Sequence, residues 1–220
     1  MRLVVDRHER SCYFVGMEKG DKTRADIEMI AMEMASVVGL EGLSFGELAA
    51  EADMSKSGLF AHYRSKEKLQ IAVLEHARER FYIEVISPAL AKKRGISRIR
   101  ALVANWVKWE DGAAGGCVFL AASIDFDDRP GMTRDYLWKT QQEWIDFLAR
   151  SSRLAAEVGD FNFNADHEQF AYELFSLMLG YAHYKRLLGD KKAGQRQKAA
   201  LERLLTQYSR ETKEKDNACQ

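Results

Sequence analysis

Apolar residues recur at helical spacing along most of the chain, and strand-like alternation is found only at Met1–Val5. The first helical stripe follows Thr23, a residue type that favours the N-cap position. Gly39 ends this stripe, because glycine adopts the left-handed conformation that often closes a helix. The apolar positions between them are Ile27, Ile30, Ala31, Met34, Ala35 and Val38. The pattern predicts a helix from Thr23 to Gly39 and, continued through the chain, an all-α fold.

Two short helices separated by a tight turn are predicted next. Ser44 and Glu47 have the spacing of a capping box, in which each side chain pairs with a backbone N–H of the first turn. Residues 52–54 supply the turn, and Ser55 then caps a helix from Lys56 to about Tyr63. Such a pair of capped helices, packed on the first, indicates a helix-turn-helix.

The second short helix has two distinct faces. Leu59 and Tyr63 lie four residues apart and are expected to face the core. The outward positions are Lys56, Ser57, Ala61 and His62. In a helix-turn-helix, this helix is the one that enters the major groove of DNA.

A long fourth helix joins this small head to the rest of the chain. Ser65 caps it, and it is predicted to run from Lys66 to about Ile86. Pro88 is expected to end it, because proline lacks an N–H and disfavours a helical residue before it. At 1.5 Å per residue such a helix is about 30 Å long, enough to carry a displacement from one end of the molecule to the other.

The remaining sequence predicts a helical body. Interruptions at 112–116 and 127–131 precede two long helices, Thr133–Val158 and Asp166–Leu188, and a last helix presents Leu201, Leu204, Leu205 and Tyr208. The expected domains are a flexible lead-in at 1–22, a helix-turn-helix domain at 23–68, a helical effector-binding and dimerisation domain at 69–210 and a tail at 211–220. Two alternatives stay open for the lead-in: a basic arm carrying Arg2, Arg7 and Arg10, or a translation start at Met17.

Composition is that of a globular protein, with 220 residues of which 46% are hydrophobic and 30% charged. No apolar run has the ~20 residues needed to span a bilayer, and the N-terminus lacks the pattern of a secretion signal, so we expect no membrane partner and a cytoplasmic location. Cys12, Cys117 and Cys219 are scattered along the chain. They predict neither a disulfide framework nor a zinc site, and no cofactor or metal is expected.

Charge is balanced overall but segregated locally. The formal net charge of zero argues against an indiscriminate nucleic-acid binder, which usually has a basic excess. From Asp26 to Asp53, however, every charged residue is acidic, whereas Lys56, Arg64, Lys66 and Lys68 crowd the next helix and turn. Such a domain would meet phosphates with one surface only, which fixes its orientation as well as its affinity.

The run Ser55–Leu69, SKSGLFAHYRSKEKL, resembles the recognition helix and following turn of the TetR family of transcriptional regulators. Asp53 departs from the family, in which the turn more often has glycine, but aspartate tolerates a left-handed conformation. Looser resemblances to one group of C-terminal domains in this family lie at 115–117 and 129–131. The resemblance implies a homodimer that binds double-stranded operator DNA, most often as a repressor, and that responds to a small organic effector.

Candidate site residues follow from the helix faces and from this resemblance. Base contacts are predicted for Lys56, Ser57 and His62, and phosphate contacts for Ser44, Tyr63, Arg64, Lys66 and Lys68. The effector pocket that the resemblance implies is expected among the body aromatics Trp106, Trp109, Phe119, Phe126, Trp138, Phe147 and Phe175, whose alternative role is ordinary core packing. The predicted dimer-interface residues on the two long helices are Trp144, Leu148, Phe170, Leu174, Leu177, Met178 and Tyr181.

An enzyme is the alternative class of protein. The chain contains no paired Glu-x-x-His, H-E-x-x-H, G-x-S-x-G, Walker or G-x-G-x-x-G motif. Cys117 after two glycines could act as a nucleophile with His183 as its base, although a buried thiol at a helix start more often serves packing. The competing interpretation is therefore a helical small-molecule-binding or catalytic protein whose head contacts another protein, and no catalytic residue is assigned.

Overall fold

The computed structural model of the chain describes residues 19–210, and its N-terminal part is a small helical head. The head consists of α1 (Lys19–Val38), α2 (Phe45–Glu51), α3 (Lys56–Tyr63) and α4 (Lys66–Phe81). Helix α1 begins four residues before its predicted start at Thr23. Those four residues contribute no apolar position to the stripe, so periodicity could not reveal them. The rest of the predicted lead-in, Met1–Val5 and the tail at 211–220 lie outside the described residues.

Serine caps fix the starts of the three following helices, as predicted. The Oγ atoms of Ser44, Ser55 and Ser65 each accept a hydrogen bond from the backbone N–H three residues ahead, at 3.2, 3.1 and 3.2 Å. Each bond satisfies one of the N–H groups that the first helical turn leaves unpaired. The residues buried in the head core include Ile27, Ala31, Leu40, Leu43, Leu48, Leu59, Tyr63, Leu69 and Val73.

The C-terminal part of the described chain is a helical body. It consists of α5 (Ser87–Leu90), α6 (Ile96–Gly112), α7 (Val118–Phe126), α8 (Met132–Glu157), α9 (His167–Arg186) and α10 (Ala193–Tyr208). Helices α8 and α9 pack along each other, and α10 packs on α9. Extended pairing within residues 19–210 is limited to an isolated bridge between Phe161 and Ser209, which confirms the all-α fold. No helix in this range has the length and apolarity needed to cross a bilayer.

The predicted end of the fourth helix near Ile86 is wrong, because α4 continues through a π-helical turn, Tyr82–Ile86, into α5. In this turn the Ser87 N–H donates to the Tyr82 carbonyl, five residues earlier. A proline lacks an N–H and crowds the carbonyl four residues before it, and the wider π turn accommodates both defects of Pro88 without ending the helix.

A side chain from α6 also binds the backbone of this π turn. The Asn105 amide donates to the Val85 carbonyl at 3.1 Å. Val85 itself is buried in the body core. The amide therefore ties α6 to the backbone of the π turn at a partly buried position.

Head and body are in direct contact through the loop between α6 and α7. The Gly115 N–H donates to Ser36 Oγ of α1 at 3.0 Å. A second hydrogen bond joins the segment after α1 to α7: the Asp125 carboxylate accepts from the Glu41 N–H at 3.3 Å. Residues of α7 also enter the head core itself: Val118, Phe119, Ala122 and Phe126. The head core is thus completed by α7, and the two hydrogen bonds join positions that are 79 and 84 residues apart along the chain.

Candidate nucleic-acid interface and ligand cavity

The outward face of α3 is exposed along its whole length. Lys56, Ser57 and His62 are all accessible, as the two-faced pattern predicts. Phe60 is also 51% exposed, and its ring packs edge-on against Phe45 with the centroids 5.4 Å apart. The sequence analysis missed Phe60, although it follows Lys56 by four residues and therefore shares its helix face. The face combines a cation, a hydroxyl, an imidazole and an aromatic ring, which suits the varied edges of base pairs.

The inward face of α3 is held rigidly against the head. Leu59 is fully buried and Tyr63 is 3% exposed. Both turns that flank α3 use a left-handed residue that is not glycine, Asp53 at φ 51° and Arg64 at φ 62°. The predicted tolerance of Asp53 for this conformation is therefore confirmed. The position of α3 is fixed at both ends and along one side, which a reading helix requires.

The predicted phosphate contact of Tyr63 is wrong in this conformation. Its hydroxyl is buried and has no hydrogen-bond partner among the described residues. Burial, reinforced by the Glu28 carboxylate, raises the pKa of Tyr63 far above its ordinary value. The physical reason lies in the spacing, because a residue four positions after the buried Leu59 faces the same core.

The other predicted phosphate contacts differ in their availability. Arg64 and Lys68 are exposed, and no side-chain hydrogen bond of either is present in the described structure. The Ser44 hydroxyl donates to the Glu47 carboxylate at 2.7 Å, so it is engaged in the cap of α2. Lys66 binds Glu41, with Nζ 3.3 Å from the carboxylate.

Glu41 is the centre of a small polar cluster at this edge of the head. Its carboxylate also accepts a hydrogen bond from Gln70 at 3.1 Å and lies 3.5 Å from the Arg129 guanidinium. Burial alone would raise the pKa of Glu41, but the hydrogen bonds from Gln70 and Lys66 outweigh it, and the pKa is lowered. Lys66 is therefore committed to an ionised partner within the protein and contributes less free positive charge than Lys68.

A cavity of about 180 Å³ opens between α4, the π turn and helices α6 to α9. Its apolar lining comprises Phe81, Ile86, Trp106, Phe119, Leu120, Trp144, Phe147 and Phe175, and its polar lining comprises Arg78, Tyr82, Cys117, Thr140, Gln141 and Glu143. The volume resembles that of an engineered apolar cavity of about 150 Å³ that accepts benzene. Space of this size, enclosed by rings and reached past a few polar groups, is typical of a small-molecule site.

The structure separates the seven predicted pocket aromatics into two groups. Trp106, Phe119, Phe147 and Phe175 line the cavity. The other three do not: Trp109 borders a second cavity of about 140 Å³ beside α1, Phe126 is buried in the head core, and Trp138 is 62% exposed. Trp138 points outward because its neighbour Leu137 takes the inward position on α8. Composition identified an aromatic-rich body but not which side of each helix its rings occupy.

The predicted dimer-interface residues belong mainly to the body's own core. Trp144, Leu148, Phe170, Leu174, Met178 and Tyr181 are buried within the single chain, and Leu177 packs against them. Trp144 also lines the cavity. The six buried side chains are covered by their own chain, which contradicts the predicted interface for those six, whereas Leu177 is only partly buried and its place in the interface stays a prediction. Periodicity selects the most apolar face of a helix, and the chain uses that face for its own core.

Cys117 does not have the environment of a nucleophile. It is buried, and burial raises its pKa to about 11. An activated cysteine needs a lowered pKa. His183 is exposed on α9, and no hydrogen bond links it to Cys117 in the described structure. Across residues 19–210 there is likewise no cluster of three or more His, Cys, Asp or Glu side chains that could hold a metal ion.

Comparisons with known proteins agree with this geometry. The family model described as "Bacterial regulatory proteins, tetR family" matches residues 30–73, and that described as "Tetracyclin repressor-like, C-terminal domain" matches residues 95–201. No curated protein gives a match.

Several solved structures share the fold. A TetR transcriptional regulator from Chloroflexus aurantiacus J-10-FL has a TM-score of 0.73 at 23% identity, covering 86% of this chain and 96% of that chain. A TetR-family regulator from Cytophaga hutchinsonii has a TM-score of 0.77 at 18% identity, covering 88% and 98%. AibR, solved with isovaleryl coenzyme A and operator DNA, has a TM-score of 0.67 at 21% identity, covering 83% and 98%. At these identities the likeness establishes the fold.

The two family models cover the capped helix pair at one end and most of the helical body at the other. The first model extends into α4, whose second half continues to the wall of the cavity. Sequence motif, helix order and matched domains therefore lead to the same result: the chain belongs to the TetR family of bacterial transcriptional regulators.

Proposed function

We propose that the protein is a ligand-responsive, DNA-binding transcriptional regulator, a repressor that a small organic effector releases from its operator. The observation that carries this proposal is α3, whose inward side is locked in the head core while its outward side is exposed. Family membership supports it, as does AibR, which has the same fold and was solved with operator DNA and an acyl coenzyme A. A regulator of chromosomal genes works in the cytoplasm.

The exposed residues fall into two sets, those proposed to contact bases and those proposed to contact phosphates. Lys56 and Ser57 at the start of α3, and His62 near its end, would contact base edges. Phe60 would make an apolar contact, for which the methyl group of thymine is the matching surface. Arg64 and Lys68 would bind phosphates and set the register of the head on the duplex.

The proposed partner is a second copy of the chain. Exposed apolar residues follow the outer face of α9 with two-turn spacing: Tyr172 and Leu179 in the helix and Leu187 at its C-cap. Trp138 adds an exposed ring on the neighbouring α8. A symmetric contact through these faces would present two copies of α3 to half-sites about 34 Å apart, so the operator should be a near-palindrome.

Helix α4 offers a direct route from effector to DNA. Arg78 and Phe81, near its end, line the cavity. Ser65, at its start, caps the helix immediately after α3. A ligand that binds better when α4 is displaced would weaken operator binding, and by linkage the operator would weaken ligand binding by the same factor.

The proposal is tested by salt-titrated binding to DNA from upstream of the gene that encodes the protein, with Lys56→Ala, Lys68→Ala and the control Lys108→Ala. Lys56→Ala should reduce the preference for operator over scrambled DNA by about tenfold, because a base contact is lost. Lys68→Ala should weaken binding to both DNAs and reduce the salt slope by about one unit, because one fewer phosphate is neutralised. Lys108 is exposed on α6 of the body, so its removal should leave both quantities unchanged.

Fluorescence anisotropy between about 50 and 200 mM salt measures both quantities. Equal affinity of the wild-type protein for operator and scrambled DNA, or salt slopes that are the same for Lys68→Ala and Lys108→Ala, would contradict the assignment of α3 and its following turn to DNA.

A further inference from the structure

The cavity has two charged residues in its lining, and they pair with each other across its mouth. Arg78 of α4 donates from Nη2 to Glu143 Oε2 of α8 at 2.7 Å. Both side chains are about half exposed, 55% and 43%. The charges therefore stand where the cavity meets solvent, and its interior is left to the aromatic rings.

The Arg78–Glu143 pair uses little of the binding capacity of the guanidinium. A guanidinium has five N–H donors and favours two parallel bonds to a carboxylate. Arg78 makes one hydrogen bond to Glu143, and the Tyr136 hydroxyl is a second polar neighbour that leaves several of its N–H donors unused. By contrast, the Gln141 amide in the same lining already donates to Ser123 Oγ at 2.9 Å and to the Phe119 carbonyl at 3.5 Å. Arg78 is thus the lining residue with the greatest unused capacity to bind an anion.

The walls of the cavity favour a flat molecule. Trp144 and Phe147 are stacked, with centroids 5.8 Å apart and planes 14° from parallel. Phe81 meets Trp144 edge-on at 5.0 Å and 87°. Rings prefer offset-stacked or edge-to-face neighbours, and this lining offers both kinds of surface. A volume of about 180 Å³ accepts one or two fused rings.

We infer that the effector is a planar molecule of one or two rings that carries one carboxylate, with its ring between the aromatic walls and its carboxylate on Arg78. The inference rests on the proposed function, since it names the ligand class of that regulator. The ligand carboxylate competes with Glu143 for the guanidinium, so binding weakens the ion pair that joins α4 to α8. Arg78 lies on α4, and the ligand therefore acts on the helix that continues to the DNA-reading head.

Three probes of one shape and different charge test this inference: naphthoate, its neutral analogue naphthamide and the cation naphthylmethylammonium. Calorimetry is carried out on the full-length wild-type protein, Arg78→Gln and Glu143→Gln. Naphthoate should bind the wild type. Its affinity should fall about tenfold or more in Arg78→Gln, because a charge-assisted hydrogen bond is lost. Its affinity should rise severalfold in Glu143→Gln, because the carboxylate that competes for Arg78 is removed. Naphthamide should bind more weakly and should not respond to Arg78→Gln. Arg78→Lys keeps the positive charge but lacks the paired N–H donors of the guanidinium, so its affinity for naphthoate should lie between those of the wild type and Arg78→Gln.

Three results would overturn the inference. In the first, the cation binds more tightly than naphthoate and its affinity falls in Glu143→Gln. In the second, naphthoate and naphthamide bind equally well and Arg78→Gln changes neither affinity. In the third, none of the probes binds. Operator binding is measured on the same preparations, with helicity by circular dichroism as the folding control. Salt-dependent, sequence-specific operator binding alongside any of these results rejects the ligand class alone, whereas its absence rejects the proposed function itself.

Discussion

Gly115 shows how a single residue can join two parts of a molecule. A Cβ atom at this position would lie 1.5 Å from the Ser36 carbonyl oxygen, a backbone atom that cannot turn aside. The backbone of the loop before α7 therefore rests directly on the backbone of α1. At Tyr63, by contrast, packing leaves a polar group without a hydrogen bond. Its ring is buried in the head core, and its hydroxyl has no partner in the described structure.

Gly115→Ala should destabilise the protein by about 1–3 kcal/mol, because the added methyl forces the loop away from α1 and breaks the hydrogen bond to Ser36 Oγ. Gly112→Ala is the matched control, since a Cβ there meets no atom within 4 Å. It should leave stability unchanged or raise it by up to about 1 kcal/mol. Urea denaturation of the two variants measures the difference, and similar midpoints would show that the close contact is not maintained in solution.

At the scale of helices, the sequence predicts best where the determining contacts are local. The starts of α2, α3 and α4 were predictable because each depends on a serine and a backbone N–H three residues away. The continuation through Pro88 was not, because it depends on the wider π turn at Tyr82–Ile86, whose backbone also binds Asn105 of another helix. The site follows the same division. The exposed face of α3 follows from its spacing, whereas the cavity depends on which side of each body helix faces inward.

Asn105 is therefore expected to stabilise the join between α4 and α5. Asn105→Ala would remove the side-chain hydrogen bond to the Val85 carbonyl and should cost about 1–3 kcal/mol. Lys108→Ala, on the exposed side of the same helix, should change stability by less than about 0.5 kcal/mol. Chemical denaturation of both variants provides the comparison. Equal stabilities would mean that water replaces the amide without cost.

At the scale of the whole molecule, the assembly is where sequence patterns are least informative. The most apolar faces of α8 and α9 form the core of one chain, so the proposed partner would use the second, mixed face. That face alternates exposed apolar side chains such as Leu179 with polar ones such as Ser176. Interfaces of this mixed composition resemble ordinary surface, and periodicity alone does not distinguish them.

Leu179→Glu should convert a dimer into a monomer, because it places a charge in the centre of the proposed apolar contact. Ile124→Glu is the control, since Ile124 is equally apolar and more exposed but lies on α7. Multi-angle light scattering at micromolar concentration should give twice the chain mass for the wild type and for Ile124→Glu, and the chain mass for Leu179→Glu. A wild-type monomer would exclude dimerisation at that concentration.

The π turn at Tyr82–Ile86 has a consequence for how such a protein diversifies. A π turn holds one more residue than an α turn while the helix on each side keeps its own geometry. Within this turn Tyr82 and Ile86, four residues apart, both line the cavity, while Val85 between them lies in the body core. The start of α4 is fixed by the Ser65 cap, and its first turns bury Leu69 and Val73 in the head core. Insertions or deletions within this one turn can therefore reshape the cavity wall, and with it the choice of effector, while the operator that the head recognises stays the same.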